Sequence, residues 1–156
     1  MKKRAVLLGL VSFDLVLAAD ILTKYLFFVP ESGARPMADI PMRFVSLIDH
    51  KNYGLIADAR VPLYAIILIS ILILAALVYE TVRALQKNAV GETVFLCVAI
   101  AGAIGNLYDR LAFGYVRDWL LFFNTSALNL ADIAIAGGII VYLASLATKS
   151  KLRDNT

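Results

Sequence analysis

The chain predicts an all-α membrane protein with four transmembrane helices, on three observations. Of its 156 residues, 61% are hydrophobic, where a soluble domain is closer to half apolar. Its mean hydropathy is +0.80. The excess is concentrated in four blocks, each close to the length of about 20 apolar residues that crosses a bilayer. The size suits a single integral-membrane unit over 1–156.

The first span is AVLLGLVSFDLVLAADILTKYLFFV, 5–29. Lys2, Lys3 and Arg4 ahead of it give it the look of a secretory signal, but Asp14 interrupts the apolar region and the run continues to Val29. A retained span is therefore expected. Residues 30–60 follow as an outer loop, holding three of the four prolines and many charges. Within it MRFVSLI, 42–48, is rich in strand formers and HKNYG, 50–54, reads as a turn. The second span is 61–79, then a short polar link over 80–89. The third span is 90–108, a mixed link covers 109–129, and the fourth span is 130–148. Ala99 and Ala103, Ala101 and Gly105, and the Gly137–Gly138 pair are small residues that let helices approach closely in lipid.

Lys and Arg near the span ends set the orientation. Eight lie at the two termini and in the 80–89 link, against six spread over the longer 30–60 and 109–129 loops. Both termini are expected in the cytoplasm, with the 30–60 loop outside.

Several chemistries are disfavoured. Cys97 is the lone cysteine, so an internal disulfide or a Cys-based metal site cannot form. It sits in VFLCVAI and reads as a buried, inert thiol. His50 is the lone histidine, too little for a zinc site, and reads as a loop residue. No metal and no cofactor is expected. The sequence pI is near 9.1, but the basic residues are scattered and form no patch with interleaved aromatics, so no nucleic-acid partner is expected.

The informative stretch is GNLYDRLAFGYVRDW, 105–119, where polar residues gather at the edge of apolar runs. Asp132, in NLAD at the start of the fourth span, shares a helix face with Asn129 and suits a helix N-terminus. Helix capping alone explains it as well as chemistry does. Asp118 lies fourteen residues earlier, so the link can fold back and bring the two carboxylates together. Two close carboxylates do not both ionise readily, so one keeps a proton. That division of labour is used by aspartic proteases. Arg110 offers a fork of donors beside the pair. Asp109 reads as an interface or pairing residue, and Arg117 as solvated. Asp20 and Lys24 are four apart and can pair on one helix face. Asp14 lies about 14 Å along the helix from Ala5, near mid-membrane, and has no partner legible in the sequence.

Taken together, D-x-x-T-K (Asp20 to Lys24), N-x-G (Asn52 to Gly54), G-N-x-x-D-R (Gly105 to Arg110), V-x-D-W (Val116 to Trp119) and N-x-A-D (Asn129 to Asp132) resemble lipoprotein signal peptidase, the signal peptidase II family. The motifs run in the family's order over nearly the whole chain. The resemblance implies an aspartic endopeptidase of the bacterial inner membrane, with its site near the outer face. Such an enzyme removes the signal peptide from prolipoproteins, cutting before a Cys that carries diacylglyceryl. It implies Asp118 and Asp132 as the catalytic pair. Asn52, Gly54, Asn106, Arg110 and Asn129 would bind substrate, and Asp20, Lys24 and Asp109 would support the site. It further implies a small extracytoplasmic β-cradle and a short helix drawn from 30–60, contact with membrane lipids, and inhibition by globomycin-type peptides. Trp119 and Ile133 stand where the family usually has Phe and a small polar residue.

Rival readings remain at this point. A Ser-Lys peptidase would use Ser126, but Lys24 has Asp20 as a close helix partner. A presenilin-like protease needs G-x-G-D, which GAIGN lacks. A small proton-coupled carrier would use Asp14, Asp20 and Asp132, and a non-catalytic four-span protein would use the charges only as interfacial pairs.

Overall fold

The computed structural model describes residues 2–28, 45–54, 61–123 and 125–154. In chain order the elements are α1 (Lys2–Phe27), β1 (Val45–Asn52), α2 (Leu63–Gln86), α3 (Val90–Phe113), β2 (Val116–Phe122), β3 (Ser126–Leu128) and α4 (Leu130–Asp154). All four helices are long and apolar enough to cross a membrane. The fold is thus mostly helical, as the apolar blocks predict, with one small sheet beside the helices.

The four apolar blocks are the four helices, but hydropathy marks where a span lies in lipid, not where its helix stops. The second helix runs past the predicted boundary at 79 through YETVRALQ, because Glu, Arg, Ala, Leu and Gln are good helix formers. Arg83 pairs with Glu80 one turn earlier, at 2.9 Å. Of the expected 80–89 link only a tight turn remains before α3. The third helix runs five residues beyond 108, to Phe113. It stops at Gly114, whose φ of +81° makes the left-handed C-cap that favours glycine. The fourth helix likewise continues beyond 148 to Asp154.

α3 is the central helix and packs on α1, α2 and α4. Leu77 and Ala84 of α2, Leu96, Ala99 and Ile100 of α3, and Tyr142 of α4 form the buried core cluster. Small residues set the helix spacing. A Cβ added to Gly138 would press on Phe95 O and Ala99, whereas one added to Gly137 would meet nothing within 4 Å, so only Gly138 has the close-packing role expected of the pair. At the bundle end remote from the sheet, Tyr142 Oη donates to Glu80 Oε2 at 2.7 Å and Lys149 pairs with Glu92.

The sheet differs from expectation in origin. It is antiparallel with order β1-β2-β3. Two of its strands come from 116–128, which reads as a mixed link, because WLLFF is too short and too uniformly apolar to reveal a strand period. HKNYG is not wholly a turn: β1 extends through Asn52, with a register irregularity between Leu47 and His50. His50 is therefore a strand residue, placed opposite Asp118. The short helix expected within 30–60, and the rest of that loop, lie outside the described residues.

Aromatic rings collect where the sheet meets the helices. Phe27 stacks on Trp119 with centroids 4.8 Å apart, and Tyr115 neighbours Phe28, Tyr53 and Phe113. Trp119, Tyr53 and Tyr115, of the two residue types that favour the level of lipid headgroups, are thus gathered at the sheet end of the bundle.

Candidate active site

α4 begins with a reciprocal cap. Asn129 Oδ1 accepts the backbone N–H of Asp132 at 3.0 Å, and Asp132 Oδ2 accepts the backbone N–H of Asn129 at 3.1 Å. This is a capping box built from Asn and Asp. The first turn of a helix leaves N–H groups without internal partners, and a third donor is met from another helix: Ala131 N donates to Asp20 Oδ1 of α1 at 2.9 Å. Asp132 is thus a capping residue, but the cap occupies one of its oxygens. The other, Oδ1, accepts from Asn106 Nδ2 of α3 at 2.7 Å.

Asp118 comes from β2 and is fully buried. Its Oδ1 accepts from Asn129 Nδ2 at 2.6 Å, and its Oδ2 accepts from Asn52 Nδ2 of β1 at 2.9 Å. Asn129 therefore holds both carboxyls, Asp132 through its backbone and Asp118 through its side chain. Burial away from water, and then the field of Asp132, push the Asp118 carboxyl up to about 6, against the opposing pull of the two amides.

Behind Asp132 lies a buried charge network. Lys24 Nζ donates to Asn106 Oδ1 at 3.0 Å, lies 2.8 Å from Asp20 Oδ2 and 3.2 Å from Asp109 Oδ2. The contact with Asp20 is a charge contact rather than a well-aligned hydrogen bond. Asp109 is also gripped by Arg117 through Nη2 at 2.7 Å, Nε at 3.3 Å and the backbone N–H at 3.1 Å. Arg117 is consequently not solvated. Its guanidinium lies over the Phe113 ring at 4.6 Å, and it is the member of the network that sequence reasoning missed. Its place two residues before Trp119 on a strand, on the face opposite Asp118, would have signalled it had the strand been legible. Gly105 on α3 leaves room for this network, since a Cβ there would strike Asp20 Oδ2.

On the other flank Arg110 Nη2 donates to Gly54 O at 3.0 Å, and Gly54 N donates to Asn52 Oδ1 at 2.9 Å. Gly54 acts through its backbone, and this pair of bonds fixes the Asn52 amide with its N–H toward Asp118. All the site residues named from the sequence thus fall into one connected set: Asp20, Lys24, Asp109, Asn106, Asp132, Asn129, Asp118, Asn52, Gly54 and Arg110. Asp14 is outside it and exposed. Ser126 is exposed on β3, and Lys24 is committed to two carboxylates and an amide, so the two do not form a nucleophile–base pair. Among the described residues no group of three or more His, Cys, Asp and Glu side chains is arranged to hold a metal ion.

The sequence profile of the family described as Signal peptidase (SPase) II matches residues 13–148. The chain belongs to the signal peptidase II family. It is similar to lipoprotein signal peptidase of Moorella thermoacetica, 36% identical over 134 residues that cover 81% of this chain and 84% of that one. It is also similar to lipoprotein signal peptidase of Francisella tularensis subsp. mediasiatica, 30% identical and covering 88% and 90%. Two solved structures, described as bacterial membrane enzymes determined by the in meso method at 2.3 and 1.9 Å, share the fold. Their TM-scores are 0.73 and 0.72 at 24% and 25% identity, covering 91% and 88% of this chain and 88% and 91% of theirs. Membership of the family makes this multi-pass membrane protein a protease, one that removes signal peptides.

Proposed function

We propose that this signal peptidase II acts as an intramembrane aspartic endopeptidase on diacylglyceryl-modified prolipoproteins, cutting before the lipidated Cys. The observation that carries the reading is the shared grip of Asn129 on Asp118 and Asp132. It joins one carboxyl from the sheet to one from a helix start, at the membrane–water boundary, where a peptide could enter from lipid and a water from outside.

In this mechanism Asp118 carries the proton, in keeping with its raised affinity for it. Asp132 takes a proton from water, whose oxygen attacks the scissile carbonyl carbon. Asp118 hydrogen-bonds and protonates the carbonyl oxygen. The tetrahedral gem-diol then collapses: the proton on Asp132 passes to the leaving amine, the C–N bond breaks, and one hydroxyl returns its proton to Asp118 as the C=O re-forms. Remaining donors of Arg110 and the Asn amides hold the extended substrate backbone, and the two acyl chains stay in the bilayer. No cofactor takes part. The protein lies in the bacterial inner membrane with both termini in the cytoplasm and the site near the outer face.

The test is cleavage of a diacylglyceryl-modified prolipoprotein by purified protein, with and without globomycin. Asp118→Asn and Asp132→Asn should each reduce cleavage at least about 10²-fold while the substrate is still bound. Full activity in either variant would overturn the aspartic mechanism. Equal cleavage of the unlipidated precursor would overturn the substrate assignment alone.

A further inference from the structure

Asp14 is the feature that the site leaves unexplained. It is exposed at the middle of α1, roughly 18–20 Å from either helix end at the α-helical rise, too deep to reach water. No hydrogen bond or ion pair from the described residues reaches it. Ionisable side chains within a span are costly in lipid and turn toward protein or a water-filled cavity. Asp14 turns away from its own bundle. The bundle side of α1 is defined by its buried residues Ala5, Gly9, Asp20 and Lys24, while Asp14 lies within the opposite, lipid-facing arc.

Along the middle of that arc runs a regular stripe. Leu7, Val11, Asp14, Ala18, Ile21 and Tyr25 are all exposed and follow one another at alternating spacings of four and three residues. This 3.5-residue repeat keeps one stripe against a partner helix in a left-handed crossing, and a single polar residue within such a stripe fixes register. Ala18 permits close approach near the centre. Toward the sheet end the stripe borders a groove of about 430 Å³ between α1 and α3, lined on α3 by Tyr108 and Phe113, which gives a partner's side chains room.

We propose that this face of α1 is an interface with a second copy of the same chain, in which the two Asp14 carboxyls meet as a hydrogen-bonded pair. Two copies inserted the same way hold Asp14 at the same depth, so a two-fold axis along the membrane normal brings each stripe residue to its own counterpart. A protonated carboxyl both donates and accepts. Asp14 is therefore complementary to itself: two acid groups form two O–H···O bonds and leave no charge in lipid. A foreign helix would need a donor at matching depth and register, whereas the second copy supplies it by symmetry. The interface leaves the Asp118–Asp132 site open, because α1 meets α4 through its opposite side, where Asp20 caps Ala131. The inference does not depend on the peptidase mechanism.

The test uses full-length protein with Cys97→Ser, reconstituted in phosphatidylcholine vesicles at low protein-to-lipid ratio. Single cysteines at Val11 or Ala18 should cross-link into dimers on oxidation several-fold faster than cysteines at Leu8 or Leu10, on the flanks of the arc. Energy transfer between labelled copies measures the dimer equilibrium. Asp14→Leu should weaken it about 3- to 30-fold, and Asp14→Asn, which also donates and accepts, should largely retain it. Equal cross-linking on stripe and flank, dimers unaffected by Asp14→Leu, or a monomer at all protein densities would overturn the proposal. So would cross-linking in native membranes to a different protein only.

Discussion

Lys24 Nζ donates to Asn106 Oδ1 at 3.0 Å, across 82 residues of sequence. The contact joins the buried charges of α1 and α3 to the polar groups around Asp132, because the same Asn106 donates to Asp132. The Lys24 ammonium is buried between Asp20 and Asp109. A buried pair is poor evidence of net stabilisation, yet removing one partner is costly, since the charges left behind have neither water nor a counterion. Lys24→Met should therefore lower stability by about 3–5 kcal/mol, read as the unfolding midpoint in detergent. Adding Asp20→Asn should restore part of the loss, because it neutralises one stranded carboxylate and its side-chain oxygen can still accept from Ala131.

The pH dependence of cleavage follows from Asp118. Its carboxyl is pushed up to about 6 by burial and by Asp132, and in the proposed reaction it must hold its proton. Raising the pH through that value removes the acid, so kcat/KM should decline on the alkaline side, tending toward about tenfold per pH unit. Asn52 donates to the Asp118 anion and thereby opposes the upward shift. Asn52→Ala should move the alkaline limb to higher pH while lowering the maximum rate. A limb that stays in place in Asn52→Ala, or none between pH 5 and 8, would remove Asp118 from the role of acid.

Asn129 serves two ends, and substitution can separate them. Its Oδ1 caps α4 and its Nδ2 holds Asp118. Asn129→Ala loses both and should cost about 1–3 kcal/mol. Serine is also a good N-cap, but it is too short to reach Asp118 in the same way. Asn129→Ser should stay within about 1 kcal/mol of the parent in stability and still lose most of its cleavage activity. If Asn129→Ser kept full activity, the grip on Asp118 would be dispensable.

The four helices are legible in the sequence because lipid imposes one uniform demand over each block of apolar residues. The Asp20–Lys24 pair and the return of Asp118 toward Asp132 are legible from spacing, whereas Asn52, Gly54 and Asn106 entered only through the family resemblance. The sheet is not legible. Its strands β2 and β3 are short, and their apolar residues serve both faces, so no alternation shows. That failure hid two others, Arg117 read as solvated and the cradle expected from 30–60 alone, while His50 reads as a loop residue because HKNYG carries a turn signal although β1 runs through it to Asn52. The role of Asp109 was blurred for the same reason, because its principal partner, Arg117, sits on the unseen strand.

Gly105 and Gly137 make opposite predictions from the same substitution. Alanine is the better helix former by about 1 kcal/mol, so in open space Gly→Ala is stabilising. A methyl added at Gly137 would meet nothing within 4 Å, and Gly137→Ala should hold or raise the unfolding midpoint. At Gly105 the added methyl would strike Asp20 Oδ2. Asp20 cannot withdraw freely, because it accepts from Ala131 N at 2.9 Å and faces Lys24 at 2.8 Å. Overpacking of this kind costs about 1–3 kcal/mol, which exceeds the gain in propensity. Gly105→Ala should thus lower the midpoint and, by displacing Asp20 from the start of α4, disturb Asp132 and slow cleavage more than the stability loss alone explains. Equal behaviour of the two variants would mean that Asp20 is not held as tightly as its two contacts require.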